Sequence, residues 1–229
     1  MAKKQQTTVR IAFQNVGGFL QEEERAIKLE TLRRMVTECK IDILGFTEPN
    51  TCWDLVPESR RLPKFTRGWW ETCQWNLTYN RTEKNSTTYQ PGGTGILFVN
   101  NAAHQALRPG DDPTGLGRWC WTRIRGTQGF YLRIVSMYRP CESNGPLTTY
   151  QQQVRRLTRL NRYSNPREAI LTDLSKEIQT WQELGDHVIV LTDYNDDITS
   201  APVRRWAANL GLVKAITWLN TGEAPPTYQ

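Results

Sequence analysis

The stretch 187-HVIVLTDYNDD-197 decides the fold, because an apolar run of strand length breaks at once into carboxylates and an amide. A short, β-branched apolar run bounded by turn residues reads as a fully buried strand. Its polar end has two explanations. Asp and Asn are favoured turn residues whose side chains bond nearby backbone. Alternatively, Asp193, Asn195, Asp196 and Asp197 serve a site beyond the strand end.

Upstream, Asn165-Pro166 pairs an N-cap residue with a first-turn proline, and Leu171, Leu174, Ile178, Trp181 and Leu184 make one apolar stripe ending at Gly185. Downstream, Ser200 caps a helix carrying Val203, Trp206 and Leu210, and LVKAI (212–216) reads as a short strand. The N-terminal part has a similar order. TTVRIAF alternates Val9, Ile11 and Phe13 as a half-buried strand ending at Asn15. Between Glu22 and Lys40, Ile27, Leu32, Met35, Val36 and Cys39 recur at helical spacing, and IDILGFT is a second strand ending at Glu48. GILFVN, RWCWTRIR and FYLRIVSMYRP read as three more strands, the last two paired antiparallel across GTQG. TTYQQQVRRLTRLNR then forms an amphipathic helix with Val154, Leu157 and Leu160 inward. Strands alternating with helices predict an α/β domain.

The chain of 229 residues is long enough for one such domain with a sizeable core. No apolar run approaches the roughly 20 residues of a membrane span, and MAKKQQTTVR has no apolar segment behind its charges, so an intracellular protein with no membrane partner is expected. Five cysteines without a Cys-x-x-Cys pair predict free thiols. Three Asn-x-Thr/Ser triplets, at Asn76, Asn80 and Asn85, are expected to mark a polar surface loop. The net charge of +6 suits a polyanionic partner, and nucleic acid is the commonest one in cells. From Asn50 to Pro91 runs a long region of no regular pattern carrying Trp53, Trp69, Trp70 and Trp75. Those rings either pack back onto the core or, as substrate-binding residues, stack on or wedge between nucleobases.

Polar residues close four expected strands: Asn15, Glu48, Tyr138 with Arg139, and Asp193 with Asn195. In open α/β sheets ligands bind in the crevice beyond strand ends, so these ends are expected to converge. The residue types suit one chemistry. A carboxylate such as Glu48, helped by the Asn15 amide, can hold Mg²⁺, which prefers oxygen ligands and keeps several waters. Asp193 and Asn195 would orient a water or the scissile group, and Tyr138 would donate a hydrogen bond. That set describes metal-assisted phosphodiester hydrolysis.

FQNVGGF, DILGFTEPN, GGTGILFV, SMYRPC and VIVLTDYND follow one another in an order and spacing that resembles the endonuclease/exonuclease/phosphatase family, within it the apurinic-type endonuclease domain of non-LTR retrotransposons. The resemblance implies a four-layer sandwich of two mixed β-sheets flanked by helices, and a nuclease that nicks DNA with Mg²⁺, Mn²⁺ being a substitute. It implies Glu48 as principal metal ligand, Asn15 as its neighbour, Tyr138 as phosphate contact, and Asp193 and Asn195 as the catalytic water-orienting and transition-state pair. Arg139 is a candidate substrate contact. It further implies action in the nucleus and a reverse transcriptase domain in a longer polyprotein. Thr192 and Tyr194 stand where the family usually has Gly and Phe.

The family also closes its site with a downstream Asp-His pair, and this sequence contains none. His187 lies six residues before Asp193, roughly 20 Å along a strand, and His104 matches no motif. The expectation is therefore a single domain over residues 1–229, truncated at its C-terminus, lacking its last strand or strands and slow in hydrolysis. A phosphatase of the same superfamily and a vestigial, non-catalytic DNA-binding module are the competing readings.

Overall fold

The computed structural model describes residues 4–5, 8–19, 22–162, 165–196 and 200–215, and of 22–25 the backbone alone. β1 (Ile11–Asn15) and β2 (Ile43–Thr47) lie parallel, joined by the helix α1 (Glu22–Glu38). The chain continues through α2 (Leu62–Phe65), β3 (Cys73–Thr78), β4 (Thr94–Val99), α3 (Asn101–Gln105), β5 (Ala106–Asp111), β6 (Trp119–Arg125) and β7 (Tyr131–Tyr138). α4 (Thr149–Arg159), α5 (Pro166–Glu183), β8 (His187–Asp193) and α6 (Ala201–Asn209) complete the described elements. Two four-stranded mixed sheets result, ordered β1-β2-β4-β3 and β5-β6-β7-β8.

Alternation along the strands separates three apolar layers. Ile43 and Ile96 of the first sheet meet Cys120 and Ile134 of the second, with Ile11, Ile189 and Leu191 beside them. Their neighbours Leu44, Phe46 and Leu97 face outward onto Leu29, Leu32 and Val36 of α1. Val135, Met137, Val188 and Val190 face the other way, onto Ile170, Leu174 and Trp181 of α5 and Val203 of α6. The architecture is thus helices, sheet, sheet, helices: the expected α/β sandwich.

Several local expectations fail for tertiary reasons. β8 is partly exposed along its length rather than fully buried, because among the described residues no strand covers its outer edge. Ile27, Leu160 and Leu184 are exposed, while Leu29 fills the α1 stripe and Gln152 and Gln153 are on the buried face of α4. The Trp-rich region is not irregular throughout, since it contains β3, whose Trp75 stands edge-on to Phe46 at 6.0 Å. Two of its three flagged asparagines turn inward: Asn80 is buried against Gln152 (2.8 Å), and Asn76 donates across the sheets to the Trp121 carbonyl (2.7 Å), while Asn85 lies partly exposed outside any helix or strand. β5 escaped notice because Pro109 and Gly110 hide it and its register slips between Ala106 and Pro109. Residues 212–214 are not strand, and the rest of LVKAI, like Asp197, falls wholly or partly outside the described residues. The five cysteines are free thiols. Among the described residues no helix is long and apolar enough to cross a membrane.

Gly95 shows how tightly the first sheet is built. It pairs with Phe46, and a Cβ at Gly95 would collide with the Phe46 ring. Gly95→Ala should therefore cost about 1–3 kcal/mol by overpacking. Urea unfolding checks this through a lowered midpoint at unchanged slope; an unmoved midpoint would contradict the packing described.

Candidate active site

Strand alternation and register bring the predicted residues to one rim. Asn15 pairs with Thr47 at the end of β1 and β2, and Tyr138 pairs with Asp193 at the end of β7 and β8. Asn15 continues the face of Ile11, Tyr138 that of Ile134 and Ser136, and Asp193 that of Ile189 and Leu191. All three therefore point toward the gap between the sheets. The Asn15 Nδ2 donates to Asp193 Oδ2 at 2.8 Å, closing the gap between strands 178 residues apart.

Glu48 follows β2, so a turn and not the pleat aims it. Its φ is +54°, a region few non-glycine residues occupy. Its amide donates to the Gly93 carbonyl (3.0 Å) and its carbonyl accepts from the Gly18 amide (2.7 Å). Asn50, also at positive φ (+50°), accepts from the Gly92 amide through Oδ1 (2.7 Å), so the Glu48-Pro49-Asn50 turn is pinned to the Gly92-Gly93 turn. A Cβ on Gly92 would stand 3.5 Å from Tyr138 Cε1 and 3.0 Å from Thr149 Oγ1. The contact with the phenol is an ordinary one, but the crowding against Thr149 and a φ of +83° favour glycine there.

The electrostatics are lopsided. Among the described residues neither Glu48 nor Asp193 has an ion-pair partner, and the nearby cations are occupied elsewhere. Lys28 donates to the carbonyls of Val16, Gly17 and Gly18 at 3.0–3.4 Å. Arg139 and Arg167 both reach Asp196 at 3.1 Å. Burial first, then the charge and hydrogen bonding of Glu48, with smaller pushes from Cys141 and Asp193, hold the Tyr138 phenol well above the usual range. Tyr138 is thus a hydrogen-bond donor and not a base.

Two carboxylates without a counter-charge fit a hard divalent cation. Among the described residues no three His, Cys, Asp or Glu side chains cluster for a metal, which is compatible with Mg²⁺, held by one or two carboxylates plus waters. The Asn15 oxygen accepts from the Gly17 amide (3.0 Å) and keeps a second lone pair.

Two expected substrate contacts are corrected. Trp53 is 7% exposed in the core under the first sheet, so its ring is not presented to a base. Arg139 is 5% exposed, with its guanidinium turned inward onto protein oxygens. Asn195 also turns inward, its amide donating to the Arg139 carbonyl at 2.8 Å. Neither histidine reaches the site: His187 stacks on Phe130 (4.5 Å) opposite Leu132, at the other end of β8, and His104 lies on α3. Sequence reasoning missed Asn50, Lys28 and Arg167. Only Arg167 left a signal, standing beside a helix N-cap.

Two mixed sheets between helix layers, with carboxylates and amides at one rim, define a hydrolase-type α/β sandwich. Residues 12–228 match the Endonuclease/Exonuclease/phosphatase family, and the chain belongs to it. No curated protein matches the chain. Solved structures share the fold at low identity. The AP endonuclease LMAP from Leishmania major has a TM-score of 0.64 at 14% identity, over 96% of this chain and 72% of that one. An AP endonuclease from Archaeoglobus fulgidus gives 0.57 at 15%, over 97% and 78%. A 3′ phosphatase from Neisseria, bound to product DNA hairpin, gives 0.55 at 15%, over 95% and 77%.

The raised Tyr138 pKa has a definite sign. The fold favours the protonated phenol; that contribution is present below the unfolded value near 10 and lost as pH rises through the folded value. In the metal-free protein, phenolate absorbance between about pH 9 and 11 should be the same for wild type and Tyr138→Phe. One extra tyrosine titrating there in the wild type would contradict the site described.

Proposed function

We propose that the chain is a Mg²⁺-dependent DNA endonuclease of the non-LTR retrotransposon type, nicking target DNA in the nucleus as part of a polyprotein with a reverse transcriptase domain. The observation that carries this reading is that Glu48 and Asp193, uncompensated by any basic side chain among the described residues, both lie near enough to the Tyr138 phenol for their charges to help hold it in its protonated form. The net charge of +6 favours DNA over a small uncharged substrate.

Glu48 would hold the cation, with Asn15 beside it and Asp193 tied to Asn15. An ion held there would supply positive charge to polarise a phosphoryl oxygen. Tyr138 donates to a non-bridging phosphate oxygen, and its desolvated surroundings strengthen that bond as charge develops. Asp193 orients the attacking water. Asn195 completes the set through the second hydrogen of its amide nitrogen, which would donate to the phosphate while the first stays on the Arg139 carbonyl. The site holds no histidine among the described residues, and a carboxylate is a weak proton acceptor at neutral pH. Turnover by these residues alone is therefore slow. That same feature favours, as a second reading, a module that binds DNA without cutting it.

Supercoiled plasmid and p-nitrophenyl phosphate separate the readings. Slow conversion of plasmid to open circles in Mg²⁺, abolished by EDTA, is expected, with binding that weakens steeply with salt as phosphate counterions cease to be released. Salt-sensitive binding without nicking would favour the non-catalytic module. Turnover of the ester with no DNA binding at low salt would favour a phosphatase.

A further inference from the structure

Three consecutive carbonyls at the catalytic turn are held by two arginines. The Asp193 carbonyl accepts from the Arg139 amide (3.0 Å), that of Tyr194 from Arg139 Nη1 (3.3 Å), and that of Asn195 from Arg167 Nη2 (3.0 Å). The bonding is reciprocal. Asn195 Nδ2 donates to the Arg139 carbonyl (2.8 Å), Arg167 Nη1 to that of Pro140 (2.8 Å), and Arg139 Nε to that of Arg167 (3.0 Å). Asp196 accepts from both guanidiniums at 3.1 Å, and Arg139 Cζ lies 4.7 Å from the Tyr194 ring centre. The ends of β7 and β8 and the first turn of α5 are thereby locked together. Inside the lock Asn195 takes a φ of +47°.

The molecule has two other acid–arginine networks among the described residues. Arg118 joins Asp112 and Asp173 beneath α5, and Arg123 and Arg133 meet at Asp186, next to His187 at the far end of β8. Neither touches Asp193 or Asn195. We infer that Arg139 and Arg167, bridged by Asp196, are positioning residues for the reaction: they fix the left-handed turn at Asn195 and so set where the Asp193 carboxylate and the Asn195 amide point. The inference rests on the nuclease reading of the site, although the clamp itself is geometry. It also accounts for an arginine buried directly after a catalytic tyrosine. Arg139 serves three oxygens through a planar fork, Nε to one side and Nη1 to the other. Lysine carries the same charge without the fork and cannot replace those bonds.

The test compares wild type with Arg139→Lys and, as a less buried alternative, Arg167→Lys, each first shown to be folded by circular dichroism. Misplacing a reacting group by about 1 Å can cost on the order of 10²-fold in rate. The expectation is a plasmid-nicking kcat lowered about 10- to 100-fold, with KM for DNA and the salt dependence of binding unchanged. A raised KM with a shallower salt slope would overturn the inference, because it would make these arginines phosphate contacts. An unchanged kcat with only a lowered Tm would overturn it too, leaving a purely structural role. A second measurement needs no activity: hydrogen exchange of the Asn195 side-chain amide and the Arg139 backbone amide, followed by NMR. Both should exchange faster in the lysine variants, and equal protection in wild type and variants would overturn the clamp. An inactive wild type would remove the nuclease reading alone, with NMR still deciding the clamp.

Discussion

A Cβ on Gly45 would lie 2.6 Å from Leu191 Cδ1, and across the same gap Ser136 Oγ donates to the Phe46 carbonyl at 3.0 Å. This close stacking of β2 on the β7–β8 pair is the constraint on which the site depends. With the sheets so near, the pleat that buries Ile11, Ile134 and Leu191 between them must also turn Asn15, Tyr138 and Asp193 inward at the rim. Because a one-residue register slip would flip each strand's faces, the core packing and the site are fixed by the same alternation. The 2.8 Å bond from Asn15 to Asp193 is the outcome of that alignment.

Charge is sorted around the rim as well. The arginines and lysine nearest the site are satisfied by carbonyls and by Asp196, which leaves Glu48 and Asp193 without compensation among the described residues. A fold seeking stability alone would pair these carboxylates, since an uncompensated, partly buried charge is costly. The positive φ at Glu48, Asn50 and Asn195 adds strained backbone at the same place. Strain and unpaired negative charge thus concentrate at one rim, and a bound cation would relieve the charge.

Much of this was legible in the sequence where the cause is local. Periodicity marked β1, β2, β6, β7 and β8, and Asn165 caps α5 by accepting from the Arg167 amide as its position suggested. The candidates Asn15, Glu48, Tyr138 and Asp193 were visible because each interrupts an apolar strand. What stayed hidden depends on distant partners. Arg139 reads as an exposed cation until Asp196, Tyr194 and Arg167 enclose it. Trp53 could serve either the core or a nucleobase as far as the sequence shows, and only the first sheet that covers it decides for the core. β3 and β5 are edge strands, whose weak pattern carries polar residues, Pro and Gly that a central strand would exclude.

We propose that this rim is a cation site dominated by Glu48. Titration of Mn²⁺ followed by electron paramagnetic resonance, on wild type and Glu48→Gln without DNA, tests it most directly. One bound ion is expected in the wild type and an affinity lowered at least about tenfold in the variant, since hard cations require anionic oxygen. Equal affinity in the two proteins would contradict it.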